Sequence, residues 1–198
     1  VDLFRRYETS ETPKFELIIH SWDIGATVNG NASVCTKWGL RHEKDYGDVI
    51  YLLDVIRLQA QLPVVHAAIK AGDKRDKPAL IVLDERGVGL GACQWLWAAG
   101  YKHVVPGSTK SEPLELAGGQ GLQPNVSKID RFGRSVLVIE DGRVVIPTSA
   151  PWLETFLYEV ASFPNIGDKD QVDSMTQLVA NLDRGIRLAR HLKERHGM

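Results

Sequence analysis

The chain has 198 residues, 43% of them hydrophobic and 25% charged, and a formal net charge of −1. These values describe one soluble globular domain, with or without an appendage, large enough for a real core. They exclude a general polyanion binder, so any nucleic-acid contact must come from a local basic patch.

Residues 1–14 are polar and close on Pro13, and they read as an arm or linker. Val1 opens in mid-phrase, without signal-peptide order, as expected of a piece of a longer protein. Phe15–Trp22 is a strand with a continuous apolar centre, which suggests burial on both faces. Turn chemistry at Gly25–Asn31 leads to a second strand, Ala32–Leu40. Another turn at Tyr46-Gly47-Asp48 leads to a third, Val49–Leu58, so the first half is an antiparallel meander.

The rhythm then changes to crossovers. Pro63–Lys70 is a helix broken by Lys77-Pro78, Ala79–Leu83 a short buried strand, Cys93–Ala99 a helix ended by Gly100, and His103–Val105 a strand. Alternating strand and helix implies parallel pairing, and the whole is an α/β mixed sheet flanked by helices. Gly107–Pro124 has no legible element, and its length marks it as functional or mobile. Val126–Ile139 fits a helix, Arg143–Ile146 a strand, and Pro151–Phe163 a helix stopped by Pro164. Val172, Met175, Val179, Leu182, Ile186 and Ala189 form one face of a single long amphipathic helix.

Acids stand where these elements end or begin. Asp23 follows the first strand, Asp84 follows Ala79–Leu83, and Asp170 and Asp173 lie three apart, on one face, near the start of the last helix. Each alone fits a turn or a helix N-terminus. Gathered in one sheet, they could not all stay charged without a counter-charge, and a pair of hard divalent cations is the usual one. Period-two alternation sends Asp84 and Glu85 to opposite faces, and Asp84 is placed in the site.

Other chemistries lack support. The six histidines have no zinc-ligand spacing, and neither G-x-S-x-G nor a Walker A motif occurs. Cys35 and Cys93 read as free buried thiols in a reducing compartment. Trp95, Trp97 and Trp152 fit helix packing better than base stacking. No apolar run approaches the roughly 20 residues that span a bilayer.

A series of short phrases resembles the C-terminal nuclease domain of phage large terminase subunits. In order they are Ser21-Trp22-Asp23, Ala32–Trp38, Tyr51–Arg57, Leu83-Asp84-Glu85-Arg86, Gly142–Pro147, Ala150–Leu153, Phe163-Pro164 and Asp170–Ser174. The resemblance covers about residues 15–180 and implies an RNase H-like fold for a nuclease domain spanning residues 15–198. It also implies a preceding ATPase motor domain, absent from this chain, and a phage or prophage protein of the host cytoplasm. Family metal-binding acids fall on Asp23, Asp84, Asp170 and Asp173. The sequence departs from the family in having Asn31 where an acid is common, Lys169 where the first of a paired Asp-Asp stands, and Asp84 where Glu is commoner.

The implied activity is metal-dependent endonucleolytic cutting of concatemeric double-stranded viral DNA. Asp23 would bridge two Mg²⁺ or Mn²⁺ ions about 3.5–4 Å apart, with Asp84 and Asp173 each on one side and Asp170 assisting. Arg86, Lys128, Arg131, Arg134 and Lys169 would hold phosphates, a mode that reads little sequence. The implied partners are the motor domain, the portal protein and the small terminase subunit. Two other readings remain open: a docking module with a degraded metal site, supported by Asn31 and Lys169, and another RNase H-like nuclease such as a resolvase.

Overall fold

The computed structural model describes residues 3–25, 32–84, 88–107 and 126–196. Its seven strands are β1 (Arg5–Tyr7), β2 (Leu17–Asp23), β3 (Ser33–Glu43), β4 (Gly47–Leu58), β5 (Leu80–Leu83), β6 (Val104–Pro106) and β7 (Val144–Pro147). They form one sheet in the order β1-β7-β4-β3-β2-β5-β6. The expected meander is present: β2, β3 and β4 pair antiparallel, with Gly47 at a φ of +70° supplying the left-handed turn between β3 and β4. The other pairings among these strands are parallel: β5 on β2, β6 on β5, β7 on β4 and β1 on β7.

The helices are α1 (Leu62–Asp76), α2 (Gly89–Ala98), α3 (Lys128–Glu140), α4 (Leu153–Ser162), α5 (Asp170–Val179) and α6 (Leu182–His196). Alternation along the strands sorts the side chains into two layers. Leu17, Ile19, Leu80 and Val82 share one core with Met175 and Leu178 of α5, Ile186 of α6 and Phe156 of α4. Trp22, Ile81 and Leu83 face the other way, onto Val65 and Ile69 of α1 and Cys93 and Leu96 of α2. Both cysteines are free and buried, as expected. Trp95 and Trp97 pack between elements, Trp95 stacking on His66 of α1 with ring centroids 4.2 Å apart and Trp97 donating to the Val104 carbonyl of β6, while Trp152 sets its edge on Phe156 within the α4 segment.

Three expectations need correction. Within the stretch read as an arm, Arg5–Tyr7 is an edge strand, bound to β7 in register Arg5 to Val145. Three residues were too short a run to show periodicity. The helix over residues 63–70 continues to Asp76, where Lys77 in the left-handed conformation ends it. The single long helix is two, because Asn181 interrupts it: its amide bonds to Leu178 and its carbonyl accepts from Gly185, opening α6. The three-four spacing runs through that joint unchanged, so periodicity could not reveal it. Among the described residues, no helix is long and apolar enough to cross a membrane. Residues 26–31 and 108–125, expected as part of a turn and of a long loop, lie outside the described residues.

Candidate active site

Neighbouring parallel strands bring the first two acids together. Trp22 of β2 lies opposite Leu83 of β5, and the Asp84 amide donates to the Trp22 carbonyl at 2.9 Å. Asp23 and Asp84 therefore stand side by side at the carboxyl ends of two central strands, where open α/β sheets place their ligands. Alternation sets Asp23 with Ile19 and Ser21, and Asp84 with Leu80 and Val82, so both belong to the face that α5 covers.

A set of buried hydrogen bonds fixes α5 against that face. Ser21 Oγ donates to the Ser174 carbonyl at 2.6 Å, Ser174 Oγ donates to the Ser21 carbonyl at 2.7 Å, and the Thr36 amide donates to Ser174 Oγ at 3.0 Å. The Ala32 amide donates to Asp170 Oδ2 at 3.1 Å. Glu159 of α4 caps the same helix, its two carboxylate oxygens accepting from the Val172 amide at 2.9 Å and from Gln171 Nε2 at 2.7 Å. The first turn of α5, with Asp170 and Asp173, is thereby held beside the ends of β2 and β5.

A glycine of α2 and two cations of α3 also shape the site. A Cβ on Gly89, the first residue of α2, would lie 1.5 Å from the Asp84 carbonyl oxygen, so only glycine allows α2 to start against this acid. Asp173 is 2% exposed and carries two cations from α3: Arg131 Nη2 donates to Oδ1 at 2.5 Å, and Lys128 Nζ donates to Oδ2. Ser127 caps α3 by accepting from the Asp130 amide at 3.0 Å, which fixes where Lys128 and Arg131 begin.

Charge in the cluster is unbalanced. Burial, followed by repulsion from Asp173, Asp84 and Asp170, pushes the Asp23 carboxyl well above the usual carboxylate range, and Lys128 offsets part of this. Burial also raises Asp170, against the pull of Arg57. Among the described residues, no group of three Asp, Glu, His or Cys side chains is arranged to hold a metal ion, and both oxygens of Asp173 face cations. The donor chemistry nevertheless suits a hard divalent cation, because the cluster is all oxygen and its acids outnumber its cations.

The expected phosphate-binding residues fall in different places. Arg131 is 3% exposed and turned inward, and Lys128 is turned inward with it. Arg134 is exposed on α3, Lys169 is half-buried beside Asp170, and Arg86 and Glu85 lie outside the described residues. Arg57, at the end of β4, pairs with the exposed Asp168 at 3.0 Å and is a cation near the acids that the sequence reading missed. Glu159 and Gly89 were missed as well. A Glu inside an amphipathic helix and a Gly in a Gly-rich run carry no local mark of a partner 13 residues away or of a carbonyl contact.

No protein-family model and no curated protein sequence matches the chain. Solved structures do. The large terminase nuclease of the thermophilic phage G20c, with bound zinc, aligns at a TM-score of 0.60 and 19% identity over 89% of this chain and 92% of that one. The large terminase nuclease domain of phage SPP1, with bound manganese, aligns at 0.55 and 14% identity over 92% and 97%. The human cytomegalovirus terminase nuclease domain aligns at 0.55 and 10% identity over 90% and 92%. The chain thus has the RNase H-like fold of large terminase nuclease domains.

Proposed function

We propose that this chain is the nuclease domain of a phage large terminase, a metal-dependent endonuclease that cuts double-stranded DNA during genome packaging. The observation that carries the reading is the surplus of buried carboxylates at the ends of β2 and β5 within that fold. Asp23, Asp84, Asp173 and Asp170 would hold two Mg²⁺ or Mn²⁺ ions. When bound, these would supply Lewis acidity and a water of lowered pKa.

The chain's own residues set up that chemistry. Asp23, held above the usual carboxylate range by burial and by the neighbouring acids, would serve as a ligand in its charged form, which a bound cation favours. Asp84 is fixed by the hydrogen bond its amide donates to the Trp22 carbonyl, and Asp170 by the one its carboxylate accepts from the Ala32 amide. Arg131 orients Asp173 through Oδ1. Arg57, Arg134 and Lys169 would meet phosphates, a contact that positions DNA without reading its sequence. A motor domain, a portal protein and a small terminase subunit as partners, and the host cytoplasm as location, belong to the same proposal. The large terminase of another thermophilic bacteriophage, in complex with ADP, is matched by this chain over 43% of its own length, which accords with a motor domain elsewhere in that protein.

Plasmid incubated with the protein and Mn²⁺ or Mg²⁺ is expected to be nicked and linearised, and EDTA is expected to stop this. No cleavage with either metal would overturn the proposal. The cations on Asp173 favour a second reading, a docking module whose site no longer takes metal. That reading expects no cleavage and no bound Mn²⁺.

A further inference from the structure

We infer that Lys128 is a built-in counter-cation that holds Asp173 in the metal-free protein and leaves it when the site is loaded, while Arg131 stays in place. The inference rests on the nuclease reading above and concerns how its site is kept and opened.

The two cations differ in every respect that governs exchange. Arg131 is 3% exposed and lies on the buried stripe of α3 with Ser135 and Ile139, so its guanidinium has no route to water. Lys128 is 37% exposed, stands at the first position of α3, and reaches Asp173 with a flexible four-carbon stem. Each takes a different oxygen, Arg131 Oδ1 and Lys128 Oδ2. Oδ2 can be vacated by a side-chain rotation into solvent; Oδ1 cannot be vacated without moving α3.

Electrostatics gives the exchange its direction. Lys128 and Arg131 bring two positive charges to Asp173. Four carboxylates, those of Asp23, Asp84, Asp170 and Asp173, gather here, so one exposed ammonium does not compensate the cluster. A divalent cation in the same place brings twice the charge and accepts oxygens from several carboxylates at once, which an ammonium on a fixed stem cannot do. Lys128 would then be repelled from the site into the solvent that its side chain already reaches. Arg131 keeps one oxygen of Asp173 fixed and so orients the other, the part that hydrogen-bonded partners play for metal-ligating carboxylates.

The test compares wild type with Lys128→Gln. Titration calorimetry with MnCl₂ is expected to show Mn²⁺ binding to both, several-fold tighter in the variant because a like charge beside the cation is gone, and metal-free Lys128→Gln should melt at a lower temperature than metal-free wild type. Amine-reactive labelling read by mass spectrometry should find Lys128 of the wild type protected in EDTA and modified in Mn²⁺. Equal Mn²⁺ affinity in the two proteins, or labelling of Lys128 that ignores metal, would overturn the latch and leave the nuclease reading intact. Failure of both proteins to bind Mn²⁺ would instead overturn the nuclease reading.

Discussion

Two clusters of charge occupy opposite faces of the same sheet, and they are settled in opposite ways. On the α1 face, His20, Lys37 and Asp54 form a row across β2, β3 and β4, and Asp76 at the end of α1 closes over it. Lys37 Nζ lies 2.9 Å from Asp76 and 3.6 Å from Asp54, His20 Nε2 lies 3.1 Å from Asp76, and Arg75 Nε lies 2.8 Å from Asp76. Against the upward push of its burial, the close approach of His20, Arg75 and Lys37 holds the Asp76 carboxyl far below the usual range. On the α5 face, burial and mutual repulsion win, and Asp23 is held well above that range. A cluster whose charges are matched within the chain is complete as structure. A cluster left with surplus acid is complete only with something brought from outside, and the contrast separates a staple from a site.

The sharpest way to break this contrast is to neutralise one member on each face. Asp23→Asn should lower Mn²⁺-dependent plasmid nicking by more than the roughly 10–100-fold typical of residues that only support a metal ligand, while the metal-free protein melts at an equal or higher temperature. Lys37→Met should do the reverse: destabilise the fold by about 2 kcal/mol, the scale of a lost charged hydrogen bond, and leave nicking by the folded fraction unchanged. Wild-type nicking by Asp23→Asn, or loss of nicking by well-folded Lys37→Met, would erase the distinction.

Gly89→Ala tests the site without touching an acid. Its new methyl would have to displace the Asp84 carbonyl, so nicking should fall at least about tenfold while circular dichroism stays native. Unchanged activity would show that Asp84 need not be held where it is.

A smaller effect separates the faces by pH in metal-free protein. Asp23 has a folded pKa above its unfolded value, so its stabilising contribution is present at low pH and lost as pH rises through the raised pKa. Burial lowers His20, so its contribution is present above the ordinary histidine pKa and lost as pH falls below it. The two slopes oppose one another, and Asp23→Asn should remove only the loss on the rising side. Thermal melts across pH in EDTA would show it. The smallest expected signal is DNA affinity itself: with a net charge of −1, binding should be weak and steeply salt-dependent, and tight binding indifferent to salt would contradict the phosphate-only mode.

The sequence revealed the framework better than the fit of its parts. Strand alternation and turn residues gave the meander, and the crossover rhythm gave the parallel half, because those signals repeat within each element. Asp23 and Asp84 were legible because each closes a recognisable apolar run. What stayed hidden depends on contacts between distant segments. Arg131 is buried on a helix whose outer face exposes Ile129 and Leu137, so α3 turns one cation inward and shows two large apolar side chains, the reverse of the expected pattern at those positions. Only the buried acid on α5 explains that inversion, and no window of sequence contains both partners. Asn181 could have been read as a cap, but an unbroken three-four spacing outweighed a single residue.

All ten residues of α5 are buried. An element so enclosed opens only with the molecule as a whole, so its amides should exchange with deuterium at the rate of global unfolding, alongside those of β2 and not those of α6. Asp170 and Asp173 reach Asp23 only through that helix. The acidic cluster is therefore assembled late and kept as long as the fold itself: a chain still emerging in synthesis holds its carboxylates apart, and cutting activity of the kind proposed would belong to the completed fold alone.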